Sequence, residues 1–157
     1  LMETSELAAS TSNWIRMSPA GRAVVRLDPG RHGYVSENPA SLFLRTELLP
    51  EIGFFDDVRA AADSEFTYRI RKRYGAARSA LLPEPLAVGL HGAASITAAG
   101  ATAMNPFRYS APRNAYWDAW MAWHDSVVEL SELHLPFPHQ PRRFPAPEAL
   151  RGPVPPA

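Results

Sequence analysis

Four carboxylates crowd one short stretch of the chain: Asp56, Asp57, Asp63 and Glu65 all lie within GFFDDVRAAADSEF. A carboxylate within hydrogen-bond reach of a hydroxyl can take its proton as the oxygen attacks, so each has the chemistry of a general base. Spacing then separates them. Asp63 and Glu65 are two residues apart, which on a helix turns them about 200° from one another. Carboxylates that diverge this way do not flank one scissile bond as a glycosidase pair must. Glu65 precedes Arg69 by four residues, the offset of a helical ion pair, or it can anchor a neighbouring loop. Asp63 either stabilises a helix N-terminus or works as a base. Asp56 and Asp57 read as turn residues.

A second set of polar groups sits far along the chain in RNAYWDAWMAWHD. Arg113 and Tyr116 are three residues apart and share a helix face, and Arg is suited to bidentate contact with phosphate. His124 follows Trp123 and reads equally as a ligand contact or as a surface histidine packed on its aromatic neighbour. The tryptophans can stack on a sugar, but an aromatic stripe at helical spacing more often belongs to a core. The chain has no cysteine, which excludes disulfides, thiolate catalysis and cysteine-ligated zinc. There is no nucleophile elbow.

The elements that must position these groups follow from periodicity. From Val58 the apolar positions recur at Ala62, Phe66, Ile70 and Tyr74, an i, i+4 stripe along one helical face. The spacing predicts a helix over 60–74, closed by Gly75, with Arg69, Arg71, Lys72 and Arg73 complementing its dipole at the C-terminal end. Asp63 lies off the stripe and so points away from the core. A second helix is predicted over 113–133, with Tyr116, Trp120, Trp123, Val127 and Leu130 along one side. Strands are expected at 13–17, 22–27 and 40–44, the first two joined as a hairpin through Ser18-Pro19-Ala20-Gly21. Two further strands, 78–82 and 86–90, are read as separated by Pro83-Glu84-Pro85. Residues 1–10 read as a short helical piece anchored by Leu7, and Thr46 as the cap of a brief helix. Residues 89–100 are small, the composition of a mobile loop or of a short helix and turn. From Pro136 onward the proline-rich chain is expected to be extended and to pack poorly on its own.

Composition bounds the function. The 157 residues suffice for one domain with a real core. With 46% hydrophobic and 20% charged residues, the chain belongs with folded proteins and not disordered ones. Sixteen basic and 16 acidic residues balance to zero net charge, which leaves no electrostatic footprint for nucleic acid. No apolar run reaches transmembrane length and the N-terminus has no basic-then-apolar pattern, so a cytoplasmic location is expected.

GFFDDVRAAADSEFTYRIRKRYG resembles the acceptor-side motif of bacterial family 2 glycosyltransferases, in which a GGFDE-like turn leads into an acidic helix start. NPASLFLRTELLPEIG upstream, HGAASIT downstream, RNAYWDAWMAWHD and RRFPAP are similar to further segments of that family in the same order, covering roughly residues 38–148. The resemblance implies an α/β fold that is the C-terminal, acceptor-side half of a GT-A nucleotide-diphospho-sugar transferase (1–110), extended by a C-terminal helix (111–135) and a proline-rich tail (136–157). It implies inverting sugar transfer to an acceptor hydroxyl, with Asp63 as the general base. Glu65, Arg113, Tyr116 and His124 then become substrate-binding candidates, His124 towards acceptor or diphosphate. The family commonly holds Mg2+ or Mn2+ through a D-x-D motif, sometimes joined by a later histidine. No D-x-D occurs in these residues, and His91 stands where a late ligand falls, although one imidazole does not make a metal site. The implied partners are a nucleotide-sugar donor and a glycan or lipid-linked acceptor, compatible with peripheral membrane association and without nucleic acid. The donor-binding half is expected in a longer protein, and the chain alone is expected to bind a nucleotide-sugar poorly. The competing expectation is a non-catalytic interaction domain that uses the aromatic helix and the proline-rich tail.

Overall fold

The computed structural model describes residues 6–21, 38–90, 92, 110–138 and 140–152. Among these, the chain is α/β, with a three-stranded mixed sheet and helices packed beside it. Strand β1 (Ala9–Met17) occupies the centre, antiparallel to β2 (Asn38–Leu44) and parallel to β3 (Ser79–Leu90). Between β2 and β3 run a one-turn helix α1 (Leu49–Ile52) and the helix α2 (Ala62–Tyr74), so the parallel pair is joined by a helical crossover. Helix α3 (Ala111–Ser126) and the segment that follows it cover the other side of α2's first turns.

The i, i+4 stripe does what its period requires. Phe66 and Ile70 of α2 are buried with Ile52 and Ala9, and Leu42, Leu44, Leu49 and Tyr74 pack against them. This is the contact of α2 with the sheet. A second apolar cluster, Tyr116, Trp120, Leu135, Phe144 and Leu150, joins α3 to the C-terminal segment. Val58, Ala60 and Ala61 pack against this second cluster. They precede the helix because it begins at Ala62, later than the stripe suggests. Gly75 ends α2 as expected, at φ +86°, with its amide donating to Arg71 O at 2.9 Å.

Several expectations need correction. Ala9 and Ser10 are strand, not part of a helical piece. The Thr46 hydroxyl caps nothing, since Arg45 stands at the cap position of a 3-10 turn at Thr46–Leu48. Segment 79–90 is one strand. Proline takes away an amide but not the extended backbone, and the ladder absorbs Pro83-Glu84-Pro85 as an irregularity between Ser12↔Leu82 and Asn13↔Pro85. Asn13 Nδ2 bridges that gap by donating to Pro83 O at 2.8 Å. The late helix stops at Ser126 instead of Leu133. Val127, the first of a β-branched pair, turns extended, Ser126 Oγ donates to Trp123 O, and a separate 3-10 turn forms at Leu130–Leu133. The C-terminal segment does pack, placing Phe144 and Leu150 in the core. The predicted strand 22–27 and its hairpin lie outside the described residues. Among the described residues, no helix is long and apolar enough to cross a membrane.

Candidate functional site

The segment Ile52–Val58 and the first turns of α2 are held by three independent devices. The first is backbone. Phe54 N donates to Leu135 O at 2.9 Å and Leu135 N to Ile52 O at 3.1 Å, an isolated parallel bridge centred on Gly53. Gly53 sits at φ +78°, and a Cβ there would lie 2.0 Å from Leu135 O. Only glycine satisfies both the dihedral and the approach.

The second device is a buried ion pair. Arg69 and Glu65 are both fully buried. Arg69 Nη2 donates to Glu65 Oε2 at 3.1 Å. Its Nε lies 2.9 Å from Oε1, a charge approach whose angle falls short of a hydrogen bond. The other donors of the fork reach Ile52 O at 2.7 Å, Phe54 O at 2.5 Å and Leu133 O at 3.5 Å. Burial pulls the Arg69 guanidinium below its ordinary range, and the Glu65 carboxylate opposes that shift. His124 completes the group, its Nε2 3.0 Å from Glu65 Oε1 and its ring against Trp120 and Trp123. Lys72 Nζ caps the neighbouring carbonyl of His124.

The third device centres on Asp56, whose side chain is wholly buried. Its Oδ2 accepts the Tyr116 hydroxyl at 2.8 Å and pairs with Arg142 Nη2. Burial, reinforced by the Asp56 carboxylate, raises the Tyr116 hydroxyl far above its ordinary range, so it remains a donor at any physiological pH. Asp56 is thus a structural anion and not a simple turn residue. No local pattern marked it, because its partners stand 60 and 86 residues away.

Glu65 makes the i, i+4 pair with Arg69 and also meets His124, so α2 and α3 are bridged through one carboxylate. His124 is buried, not a surface histidine. Tyr116 is buried on Asp56, and Arg113 is largely buried one turn earlier on the same face of α3. Asp63 is exposed on the first turn of α2, where its Oδ1 accepts the Ser64 amide at 2.8 Å. The expected divergence from Glu65 is therefore present. His91 lies outside the described residues. Among the described residues, no group of three or more His, Asp or Glu is poised to hold a metal ion. The described residues offer no ligand set for the expected divalent cation.

Two features of the segment leading into α2 escaped the sequence. Ala61, immediately before α2, is left-handed at φ +72°, a conformation that costs a non-glycine residue about 1–2 kcal/mol. Such strain concentrates where a backbone must be held in a functional geometry. A depression of about 480 Å³ also opens along the segment leading into α2, lined by Phe54, Phe55, Asp56, Asp57, Val58 and Phe137. Phe54, Phe55 and Phe137 are 51%, 44% and 62% exposed, a concentration of bare aromatic surface.

No protein-family model matches the chain, and no curated protein matches it.

Proposed function

We propose that the chain is the acceptor-side part of a family 2-like glycosyltransferase of GT-A fold. In this reading it performs inverting transfer from a nucleotide-diphospho-sugar to an acceptor hydroxyl, with Asp63 as general base. The observation that carries the proposal is the division of labour between Asp63 and Glu65. Two carboxylates two residues apart have opposite environments, one exposed at a helix start and one buried in the core, paired with Arg69 and in contact with His124. A base must be accessible to the hydroxyl it deprotonates, and only Asp63 of the pair is. Its helix turn begins just after a strained residue and an open depression. The resemblance of AADSEF to the family's acidic helix start supplies the reaction class.

In this reading the acceptor O–H proton passes to Asp63 as its oxygen bonds to the sugar's anomeric carbon, and the nucleoside diphosphate leaves from the opposite face. Glu65, Tyr116 and His124 act through the segments they hold, since their side chains are buried. The rival reading, an interaction module, relies on the aromatic helix and the proline-rich tail. Tyr116 and Trp120 are buried against Phe144 and Leu150, so those surfaces largely occupy one another.

The test is the full-length gene product with Asp63→Asn, which preserves shape and removes basicity. Nucleotide-sugar binding is expected to persist while turnover falls by about 10²- to 10⁴-fold. Near-normal turnover would sink the assignment.

A further inference from the structure

The aromatic depression carries an inference about the acceptor, which rests on the glycosyltransferase reading. We infer that the depression formed by Phe54, Phe55, Val58, Asp57 and Phe137 receives an uncharged sugar ring of the acceptor, so that the acceptor is a glycan and the depression is its subsite.

The three phenylalanines leave ring surface open to solvent, which costs free energy unless a ligand covers it. Their chemistry asks for a ligand with an apolar, weakly electropositive face, because the face of an aromatic ring is the negative end of its quadrupole. The C–H face of a pyranose meets that demand. Besides Val58, the remaining described lining residues are the acids Asp56 and Asp57, with no basic side chain among the described lining residues. Of the two, Asp56 is wholly buried and already holds Tyr116 and Arg142. Asp57 is exposed and can accept O–H donors at the rim. A hydroxyl-rich neutral ring fits both halves of this lining. A phosphate or diphosphate would meet the exposed Asp57 carboxylate with like charge, Asp56 being already paired with Arg142, which disfavours an anionic lipid phosphate. The volume, about 480 Å³, lies within the range of small-molecule sites. One side of the depression is held in place: the Phe54 backbone is tied to Leu135 and Arg69, and Phe55 packs on Phe66 at 4.3 Å between ring centroids. A preformed wall loses little entropy on binding.

The experiment uses the full-length protein and two probe classes, neutral trisaccharides (maltotriose, cellotriose and mannotriose) and farnesyl phosphate. Binding is measured by calorimetry, and transfer kinetics are measured with the best acceptor. Phe137→Ala and Phe54→Ala remove exposed rings, and Asp57→Asn removes the rim charge. Each ring deletion should weaken trisaccharide binding and raise the acceptor KM by about three- to tenfold, with donor KM and kcat unchanged. Asp57→Asn should weaken the trisaccharide too, without creating affinity for farnesyl phosphate. The inference is overturned if no trisaccharide binds, if binding ignores both ring deletions, or if farnesyl phosphate binds in a Phe137-dependent way. The two readings fail separately. Transfer that depends on Asp63 but not on Phe137 or Phe54 would leave the function standing and remove the subsite. Ring-dependent trisaccharide binding without any sugar transfer would do the reverse.

Discussion

Replacing Glu65 by alanine should be among the most damaging single changes in the chain, and its cost can be worked from the surroundings. Glu65 and Arg69 have no exposed side-chain surface, so their charges interact with little solvent screening. Removing the carboxylate strands a buried guanidinium, a loss of about 3–5 kcal/mol for a broken buried pair. The imidazole of His124 loses its partner as well. Domains are stable by only about 5–15 kcal/mol, so the variant would sit near the edge of folding. Urea unfolding followed by circular dichroism measures this, and with a slope near 2 kcal/mol per molar the midpoint should fall by about 2 M. The double replacement Glu65→Leu/Arg69→Met sharpens the test. An isolated ion pair can be exchanged for apolar residues at little cost or with a gain. Here Arg69 also donates to Ile52 O and Phe54 O; Ile52 O would keep the Leu135 amide, but the half-buried Phe54 O would lose its guanidinium donor. At about 1–3 kcal/mol for each lost partner, the double variant should recover only part of the stability. A midpoint unchanged by Glu65→Ala would mean that the pair is not desolvated. Full recovery by the double variant would mean that the guanidinium contributes nothing to the 52–54 carbonyls.

Two glycines with similar dihedrals should respond differently to alanine. Gly75→Ala, at φ +86° with open space around the position, should cost about 1–3 kcal/mol of backbone strain. Gly53→Ala, at φ +78°, adds a collision with Leu135 O and should cost clearly more, read as the larger drop in urea midpoint. For Tyr116 the sign runs towards alkali. Its hydroxyl is raised above the unfolded value of about 10, so the stability it brings is complete below that pH and is lost as pH climbs beyond it. Thermal melts from pH 8 to 11 should therefore show a falling limb above about pH 10, shallower in Tyr116→Phe, and an identical limb in both proteins would refute the buried contact with Asp56.

What the sequence made legible was whatever a short window contains. The stripe Phe66–Ile70–Tyr74, the stop at Gly75, the Glu65–Arg69 offset and the outward turn of Asp63 are all consequences of 3.6 residues per turn. The strand 40–44 and the core of β1 were visible as apolar or alternating runs. What stayed hidden depends on partners that no window holds. Asp56 looked like a turn residue because Tyr116 and Arg142 are remote in sequence. The proline-rich tail looked idle because the cluster that accepts Phe144 and Leu150 forms only when α3 is in place. Pro83 and Pro85 looked like breaks because local rules cannot see that Asn13 will answer the interrupted ladder.

The four carboxylates of the opening stretch show how those two kinds of information combine. Asp56 and Glu65 are each buried, and each is answered by one guanidinium and one further polar group, Arg142 with Tyr116 and Arg69 with His124. Burying an unpaired charge is far costlier than burying a paired one, so both inward carboxylates require remote partners. Asp57 and Asp63 need no such arrangement, because they face solvent. The backbone between them is then fixed from within by the two inward anions, while the outward ones remain open to a ligand. A loop that carried only exposed acids would be free to move, and one that carried only buried acids would have nothing to offer a substrate. With an inward acid at each end of these ten residues and the outward pair between them, the segment is held from within and its outer face is acidic and aromatic, the surface that the proposed transfer to a sugar hydroxyl would need.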